Sequence, residues 1–451
     1  MAAKISFIKQ KSSSKLHNDN PVQVSFYEKT AFCQILVYHN KLKKEELLQK
    51  MRLASADFVK KAREAKIVNW LLSFSTQFTQ EEIIAFWEGL VISSYSFEKY
   101  KTKKNSRLVF EFDKTAGNPT FINKLTSLKE ELDTLRNWVN EPFSYLNAET
   151  FTKEIKEHCS KYGVSVDVWD KQKITKQKMA GLLAVNQGSK DEPSFLELTY
   201  KPLNAGNKKP VVLIGKGVVF DAGGMNIKTE NYMTDMKDDM AGAATAACTI
   251  ALAARLKMPL YIKVLIPITD NRLNGNALVP GDIITMRNGT TVEITNTDAE
   301  GRLLLADAVC YAATELSPSL MITVATLTGA AARALGPQGI AVMQENASPQ
   351  AVTALTAAGE KTHERVCFFP MWKEYEEELK SDIADIKNCG NGAAGMISAA
   401  KFLTYFAEEK PLVHLDIAGV AMLKKSLYPY GIGASGIGLR LLAEFLGTLL
   451  K

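Results

Sequence analysis

Asn296-Thr297-Asp298-Ala299-Glu300-Gly301-Arg302 lies between two opposite periodicities. Ahead of it, Thr291-Val292-Glu293-Ile294 alternates polar and apolar residues as a half-buried strand does. Behind it, Leu303-Leu304-Leu305-Ala306-Asp307-Ala308-Val309 reads as a buried helix. The stretch therefore sets two carboxylates, two residues apart, and one guanidinium at a strand-to-helix junction. Open α/β sheets build their ligand sites at such junctions. In extended chain, residues i and i+2 project to one side, so Asp298 and Glu300 are expected to converge. Like charges that close repel unless a cation or a shared proton neutralises them. An acidic helix cap is the plainer reading of the same residues. What decides between the two lies upstream.

There, Val211-Val212-Leu213-Ile214-Gly215 is an apolar strand ending at Lys216, and Val218-Val219-Phe220 leads into Asp221-Ala222-Gly223-Gly224, where glycines permit a tight turn beside a carboxylate. Lys228 follows, then Met236-Lys237-Asp238-Asp239-Met240-Ala241-Gly242-Ala243-Ala244 opens a helix expected over 234–256, with small residues for close packing. Carboxylates thus stand at successive loop ends: Asp221, Asp239 and the Asp298/Glu300 pair. Four acids form a hard-ligand set for divalent cations held by oxygen, with Zn²⁺ or Mn²⁺ as candidates. Only five histidines occur and none forms H-E-x-x-H, which argues against a histidine zinc site. Gly433-Ala434-Ser435-Gly436 lacks the spacing of a serine nucleophile elbow, and no Walker A or G-x-G-x-x-G motif supports nucleotide binding.

A chain of 451 residues exceeds what one core usually holds, so two domains are expected. The first reads as a small α/β unit: strands at 22–26, 33–38, 67–74 and 107–112, helices at 44–66 and 80–91. The turn-rich Lys114-Thr115-Ala116-Gly117-Asn118-Pro119 and a helix from about Phe121 to Val139 follow. Strand and helix patterns then alternate, with strands at 210–215, 260–267 and 320–325, a helix at 329–335, and an Arg287-Asn288-Gly289-Thr290 hairpin turn within 282–295. The expected organisation is an N-terminal domain over 1–128, a linker helix over 129–150 and a catalytic α/β/α domain over 151–451 with a mostly parallel central sheet. Lys11-Ser12-Ser13-Ser14-Lys15 reads as a surface tip.

Six scattered cysteines, without C-x-x-C, fit free thiols in a reducing cytosol. No apolar run has membrane-spanning length, and the N-terminus lacks a signal peptide's apolar core. Residues 1–110 hold 19 Lys and Arg against 10 Asp and Glu, including Lys41, Lys43, Lys44, Lys99, Lys101, Lys103 and Lys104. Such runs suit a solvated face better than nucleic acid; a DNA-binding regulator using this basic domain is the rival reading.

With these motifs the chain resembles the leucyl aminopeptidases of the M17 metallopeptidase family. Asn-Thr-Asp-Ala-Glu-Gly-Arg-Leu-Leu-Leu over 296–305 is similar to the family's signature, and Gly215-Lys216-Gly217, Phe220-Asp221, Gly223-Gly224, Ile227-Lys228 and Met236-Lys237 with Asp239-Met240 are similar to its other metal loops. The likeness continues through Ala325–Ala330, Lys380–Asp385, His414–Gly419 and Gly433–Gly436, over roughly residues 135–451. The resemblance implies two metals per chain: one held by Lys216, Asp221, Asp239 and Glu300, the more exchangeable one by Asp221, Asp298 and Glu300. Lys216 would then be a neutral amine. It implies that Lys228 polarises the scissile carbonyl, and that Arg302 holds a bicarbonate or a water network as general base. Met236, Thr326, Leu327, Gly329 and Ala418 would line the first side-chain pocket. It further implies a cytosolic homohexamer that removes N-terminal, preferably apolar residues from peptides, with a Cys-Gly dipeptidase as the runner-up. Ala222, Asp238, Val279 and Ala421 depart from residues the family often carries.

Overall fold

The computed structural model describes residues 3–10, 22–27, 32–38, 43–74, 78–104, 107–112 and 118–449. The Lys11–Lys15 tract, Lys41 and residues 114–117 of the expected turn lie outside them. The chain folds into two compact units. One comprises Met1–Asp133, Glu360–His363 and Leu423–Ser435; the other Thr134–Gly359, Glu364–Met422 and Gly436–Lys451.

The first unit holds β1 (Ala3–Gln10), β2 (Val22–Tyr27), β3 (Phe32–Tyr38), α1 (Lys44–Glu64), β4 (Asn69–Phe74), α2 (Gln80–Ser94), β5 (Val109–Phe112) and the start of α3 (Pro119–Asn140). Its sheet runs β2-β3-β1-β4-β5, parallel except where β2 meets β3. β1 is the strand the sequence reading missed, though Ile5-Ser6-Phe7 alternates. It lies between β3 and β4, with Ile5 opposite Cys33 and Leu72. A capping box starts α2, with Thr79 and Glu82 exchanging hydrogen bonds. α1 and α2 pack through Gly89, where a Cβ would strike Ser55 and the Arg52 backbone. Phe58 meets Trp70 edge-on at 4.7 Å. Lys43, Lys44, Lys99, Lys101, Lys103 and Lys104 are exposed.

The second unit contains α4 (Ala148–Ser160), β6 (Ser165–Trp169), α5 (Lys171–Lys176), α6 (Ala180–Asn186), β7 (Ser194–Tyr200), β8 (Val211–Gly215), β9 (Gly217–Asp221), α7 (Ala241–Arg255), β10 (Ile262–Asn271), β11 (Ile283–Thr285), β12 (Thr291–Glu293) and α8 (Gly301–Tyr311). After these come β13 (Leu320–Ala325), α9 (Gly329–Leu335), β14 (Ile340–Glu345), α10 (Pro349–Thr362), β15 (Val366–Phe368), β16 (Ile386–Lys387), α11 (Gly395–Thr404), β17 (Leu412–Asp416) and α12 (Leu439–Thr448). The main sheet is ordered β15-β14-β17-β13-β8-β10-β7-β6, with β9 also on β10. Its centre, β17-β13-β8-β10, is parallel throughout, as the strand–helix alternation predicted. All five residues of β8 are buried, as expected of a strand covered on both faces. One continuous core joins Val212, Ile214, Met321 and Ala325 to Leu303, Leu304 and Leu305 of α8 and Phe402 and Leu403 of α11. Each large apolar side chain among these contributes about 1.5–3 kcal/mol through burial.

Three local expectations need correction. The helix expected over 234–256 begins at Ala241: Asp235 takes φ 70°, and a 3₁₀ turn over Met236–Asp238 intervenes. That break swings Asp239 out of the helix register. The strand ahead of Asn296, read as the strand of an open α/β sheet junction, is β12 and sits between β11 and β16 in a separate three-stranded sheet. In the β11–β12 hairpin only Gly289 takes a positive φ, 89°, while Asn288 does not.

Candidate metal centre

Lys216, Asp221, Lys228, Asp239, Asp298 and Glu300 come together in the second unit, at the carboxyl ends of β8, β9 and β13. Lys216 is the single residue between β8 and β9, which both run parallel along β10. The Lys216 N–H bonds the Val324 carbonyl at 3.1 Å, and the Lys216 carbonyl accepts from Ala243 N at 2.9 Å, at the head of α7. Gly215 allows this approach, since a Cβ there would lie 2.6 Å from Ala243 Cα. The buried Lys216 Nζ then stands 2.8 Å from Asp239 Oδ1 and 2.8 Å from Glu300 Oε1, and donates to the Thr326 carbonyl at 3.1 Å. Gly301 leaves room beside it: a Cβ would come within 2.7 Å of that Nζ.

Asp221 ends β9, opposite Asn271. Its Oδ1 accepts from Gly223 N and from Asn271 Nδ2, both at 2.8 Å, and its Oδ2 lies 2.8 Å from Lys228 Nζ. Gly223 and Gly224 have φ 89° and 63°, a turn that L side chains resist. Lys228 Nζ also lies 2.5 Å from Asp298 Oδ1. Asp298 and Glu300 do converge, but not through extended chain. Thr297 and Asp298 form a turn, closed by Ala299 N on the Asn296 carbonyl at 3.2 Å, and Glu300 is already helical at φ −73°, ψ −40°. Carboxylate oxygens of Asp221, Asp298 and Glu300 lie within 4.8 Å of one another.

Four carboxylates thus face two ammonium groups, an excess of negative charge. Burial pushes Asp298 up to about 6, helped by Asp221 and Glu300 and opposed by Lys228. Burial also drives Asp239 well above the usual carboxylate range against the pull of Lys216. For Lys216 and Lys228, burial favours the neutral amine, yet the surrounding carboxylates outweigh it and raise both. Several oxygens still lack a hydrogen bond among the described residues: Asp239 Oδ2, Asp298 Oδ1 and Glu300 Oε1. The last two lie within ion-pair distance of a lysine, but at angles unsuited to a hydrogen bond; the distances establish the attraction and the angles leave acceptor capacity over. Unmatched buried oxygens in a net negative cluster fit divalent cations.

Thr297, Asn226 and Asn388, to which sequence reasoning gave no role, help to hold this arrangement. Thr297 Oγ1 donates to the Gly223 carbonyl at 2.7 Å and accepts from Asn226 N at 2.8 Å, fastening the Asp221–Lys228 loop to the Asp298 turn. Asn388 accepts from Thr295 N at 2.9 Å and donates to the Asn296 carbonyl at 2.7 Å. Its own carbonyl accepts from Arg302 Nη1 at 3.0 Å. Arg302 is buried, and its Nε has no hydrogen-bond partner among the described residues. Thr326 Oγ1 donates to Asp239 Oδ1 at 2.9 Å. Asp416 accepts from Leu327 N, Thr328 Oγ1 and Ala418 N at 3.2, 2.7 and 3.1 Å, which gathers Thr326, Leu327, Gly329 and Ala418 at the ends of β13 and β17. Met236 lies in the 3₁₀ turn before Asp239. The signal for Asn271 was a polar residue ending an apolar strand; Asn226 and Asn388 left none.

Residues 133–443 match the cytosol aminopeptidase family, catalytic domain. A probable cytosol aminopeptidase of Chlorobaculum tepidum is 40% identical over 385 residues, covering 81% of this chain and 75% of that one. Another, from Chlorobium luteolum, is 46% identical over 312 residues, 69% of this chain and 61% of its own length. Among solved structures, the bottromycin maturation enzyme BotP in complex with Mn shares the fold at a TM-score of 0.87 and 28% identity, with both chains fully covered. A cytosol aminopeptidase from Coxiella burnetii does so at 0.82 and 25% identity, over 100% of this chain and 98% of that one. A match over more than half the chain, added to a carboxylate cluster fitted to cations, makes this chain a member of the cytosol aminopeptidase (M17) family of metal-dependent hydrolases.

Proposed function

We propose that this protein is a two-metal aminopeptidase that removes N-terminal, preferably apolar and leucine-like residues from peptides. The observation that carries the reading is the excess of four carboxylates, three of them buried, over two lysines, with acceptor oxygens left over. Lys216, Asp221, Asp239 and Glu300 would hold one divalent ion and Asp221, Asp298 and Glu300 the other, Zn²⁺ or Mn²⁺ being suited to such a set. Ions bound there would supply Lewis acidity toward a water and the scissile carbonyl. Lys228 keeps its charge under the pull of Asp221, Glu300 and Asp298, and so offers a fixed cation to the oxyanion that develops on that carbonyl. Lys216 must lose its proton to become a ligand, so ion binding and proton release there are one equilibrium, and acid weakens that site first. Arg302, held by Asn388, presents a guanidinium suited to a bicarbonate or a water network acting as base.

Leu327 is part-buried beside Gly301, whose Cβ would lie 2.9 Å from Leu327 Cδ1, and this places an apolar side chain next to Lys216. That contact supports a pocket for apolar residues formed with Met236, Thr326, Gly329 and Ala418. A homohexamer and a cytoplasmic location belong to the same reading and rest on the family. No described helix is long and apolar enough to cross a membrane. The test is elemental analysis of the purified protein together with turnover of leucine-p-nitroanilide, before and after dialysis against a chelator and on return of Mn²⁺, Co²⁺ or Zn²⁺. Two ions per chain, loss on chelation and recovery with Mn²⁺ are expected. Full activity with one ion per chain, or indifference to chelators, overturns the reading.

A further inference from the structure

On β17, His414 pairs in register with Thr323 of β13, and its Nδ1 lies 2.8 Å from Thr323 Oγ1. Alternation places His414 on the face of its strand that carries Leu412 and Asp416, and Thr323 on the face that carries Met321 and Ala325. Leu412, Met321 and Ala325 belong to the core shared with α8 and α11, so the imidazole enters the layer from which Arg302 extends. His414 is 1% exposed, and its Nε2 has no hydrogen-bond partner among the described residues. Burial, reinforced by the Arg302 guanidinium, lowers its pKa to about 3, so the ring is neutral across the physiological range. A neutral imidazole has one donor and one acceptor nitrogen. Arg302 is 6% exposed, and its Nε–H, which can only donate, is also unpartnered among the described residues.

Two buried unpartnered atoms of complementary type, on side chains that feel one another's field, are costly to leave unmatched. We infer that His414 is a positioning residue for Arg302. In the tautomer whose Nδ1–H donates to Thr323, His414 Nε2 accepts from Arg302 Nε–H through one buried water. Asn388 holds one end of the guanidinium through Nη1. His414 holds the Nε end, and the fork is fixed in plane. The inference rests on the proposed role of Arg302 in turnover, but part of its test does not.

Crystal structures of the wild type and of His414→Phe, solved with the full chain, provide that part. Arg302 Nε joined to His414 Nε2 by one water in the wild type, and an Arg302 side chain rotated or disordered in His414→Phe, are expected. Arg302 Nε bonded to any other group, or an Arg302 conformation unchanged by His414→Phe, overturns the inference whatever the enzyme turns over. The kinetic part uses leucine-p-nitroanilide. His414→Phe should lower kcat about tenfold with KM little changed, the scale at which an outer partner of a site residue acts. His414→Gln, which can return an acceptor near the Nε2 position, should recover most of the loss. Adding His414→Phe to Arg302→Met should cost nothing further in kcat, because the residue it positions is gone. Additive losses in the double variant, or equal losses with Phe and Gln, mean that His414 only fills the core. A wild type without turnover of any peptide amide counts against the proposed function instead, and leaves the crystallographic result to decide this one.

Discussion

Each unit buries charge, and the contrast between the two sites separates architecture from chemistry. In the first unit Arg52 Nε meets Glu88 Oε2 at 2.7 Å, with both side chains about 4% exposed, and Arg52 Nη2 donates to the Lys361 carbonyl at 2.7 Å. Among the described residues, a guanidinium there meets a carboxylate. In the second unit four carboxylates face two lysines, and buried oxygens keep acceptor capacity. A balanced buried pair holds two helices in register; removing either partner leaves an uncompensated charge. An unbalanced cluster has no reason to persist in a low-dielectric interior unless something else completes it. Charge balance, more than burial, tells the two apart.

The contrast breaks first at Asp298. Asp298→Ala should abolish leucine-p-nitroanilide turnover and lower bound metal by elemental analysis, while circular dichroism stays that of the wild type; near-normal turnover would sink the assignment of the second ion. Glu88→Gln should behave in the opposite way. Unfolding free energy by urea should fall by about 3–5 kcal/mol as Arg52 loses its partner, with kcat per folded molecule unchanged. If instead it left stability intact and impaired turnover, balance would be no guide to role. Lys228→Ala sharpens the catalytic side. A fixed cation aimed at a developing oxyanion acts mainly in the transition state, so kcat should drop by about 10²–10³, roughly 2.7–4 kcal/mol, with a smaller change in KM. A pure KM effect would assign Lys228 to substrate binding.

The smallest effect concerns a buried acid outside both sites, Asp307, farther along α8 from the cluster. Burial pushes its carboxyl up to about 8, against the pull of the Leu182 and Gly181 N–H groups. A folded pKa above the unfolded value means that the native state binds the extra proton. Its contribution to stability is therefore present below about pH 4 and declines as pH rises toward about 8. Asp307→Asn removes that slope. Its stability relative to the wild type should rise by on the order of 2 kcal/mol between pH 6.5 and pH 9, read from urea midpoints at the two values. A constant difference between the two proteins would show that Asp307 is ionised in the fold.

Much of this was legible in the chain. Apolar runs such as Leu320–Ala325 and 211–215 admit little besides buried parallel strands, because burial on both faces leaves no polar alternation to keep. Lys216, Asp221, Lys228, Asp239, Asp298, Glu300 and Arg302 stood out because charged residues interrupt otherwise apolar or glycine-rich loop ends. What the sequence by itself determined was therefore the fold class and the chemical membership of the site. Tertiary structure decided the rest. β1 became central through non-local pairing with β3 and β4, which no local pattern records. The 3₁₀ break before Asp239, and the turn that brings Asp298 toward Glu300, are conformations that propensity alone would not select; Thr326, Thr297, Asn226 and Asn388 hold them from distant positions. Those partners lie up to 93 residues away in sequence, as Thr295 and Asn388 do. Hydrogen bonds of that span exist only after the sheet has formed, because it is the sheet that carries the loop ends to one edge.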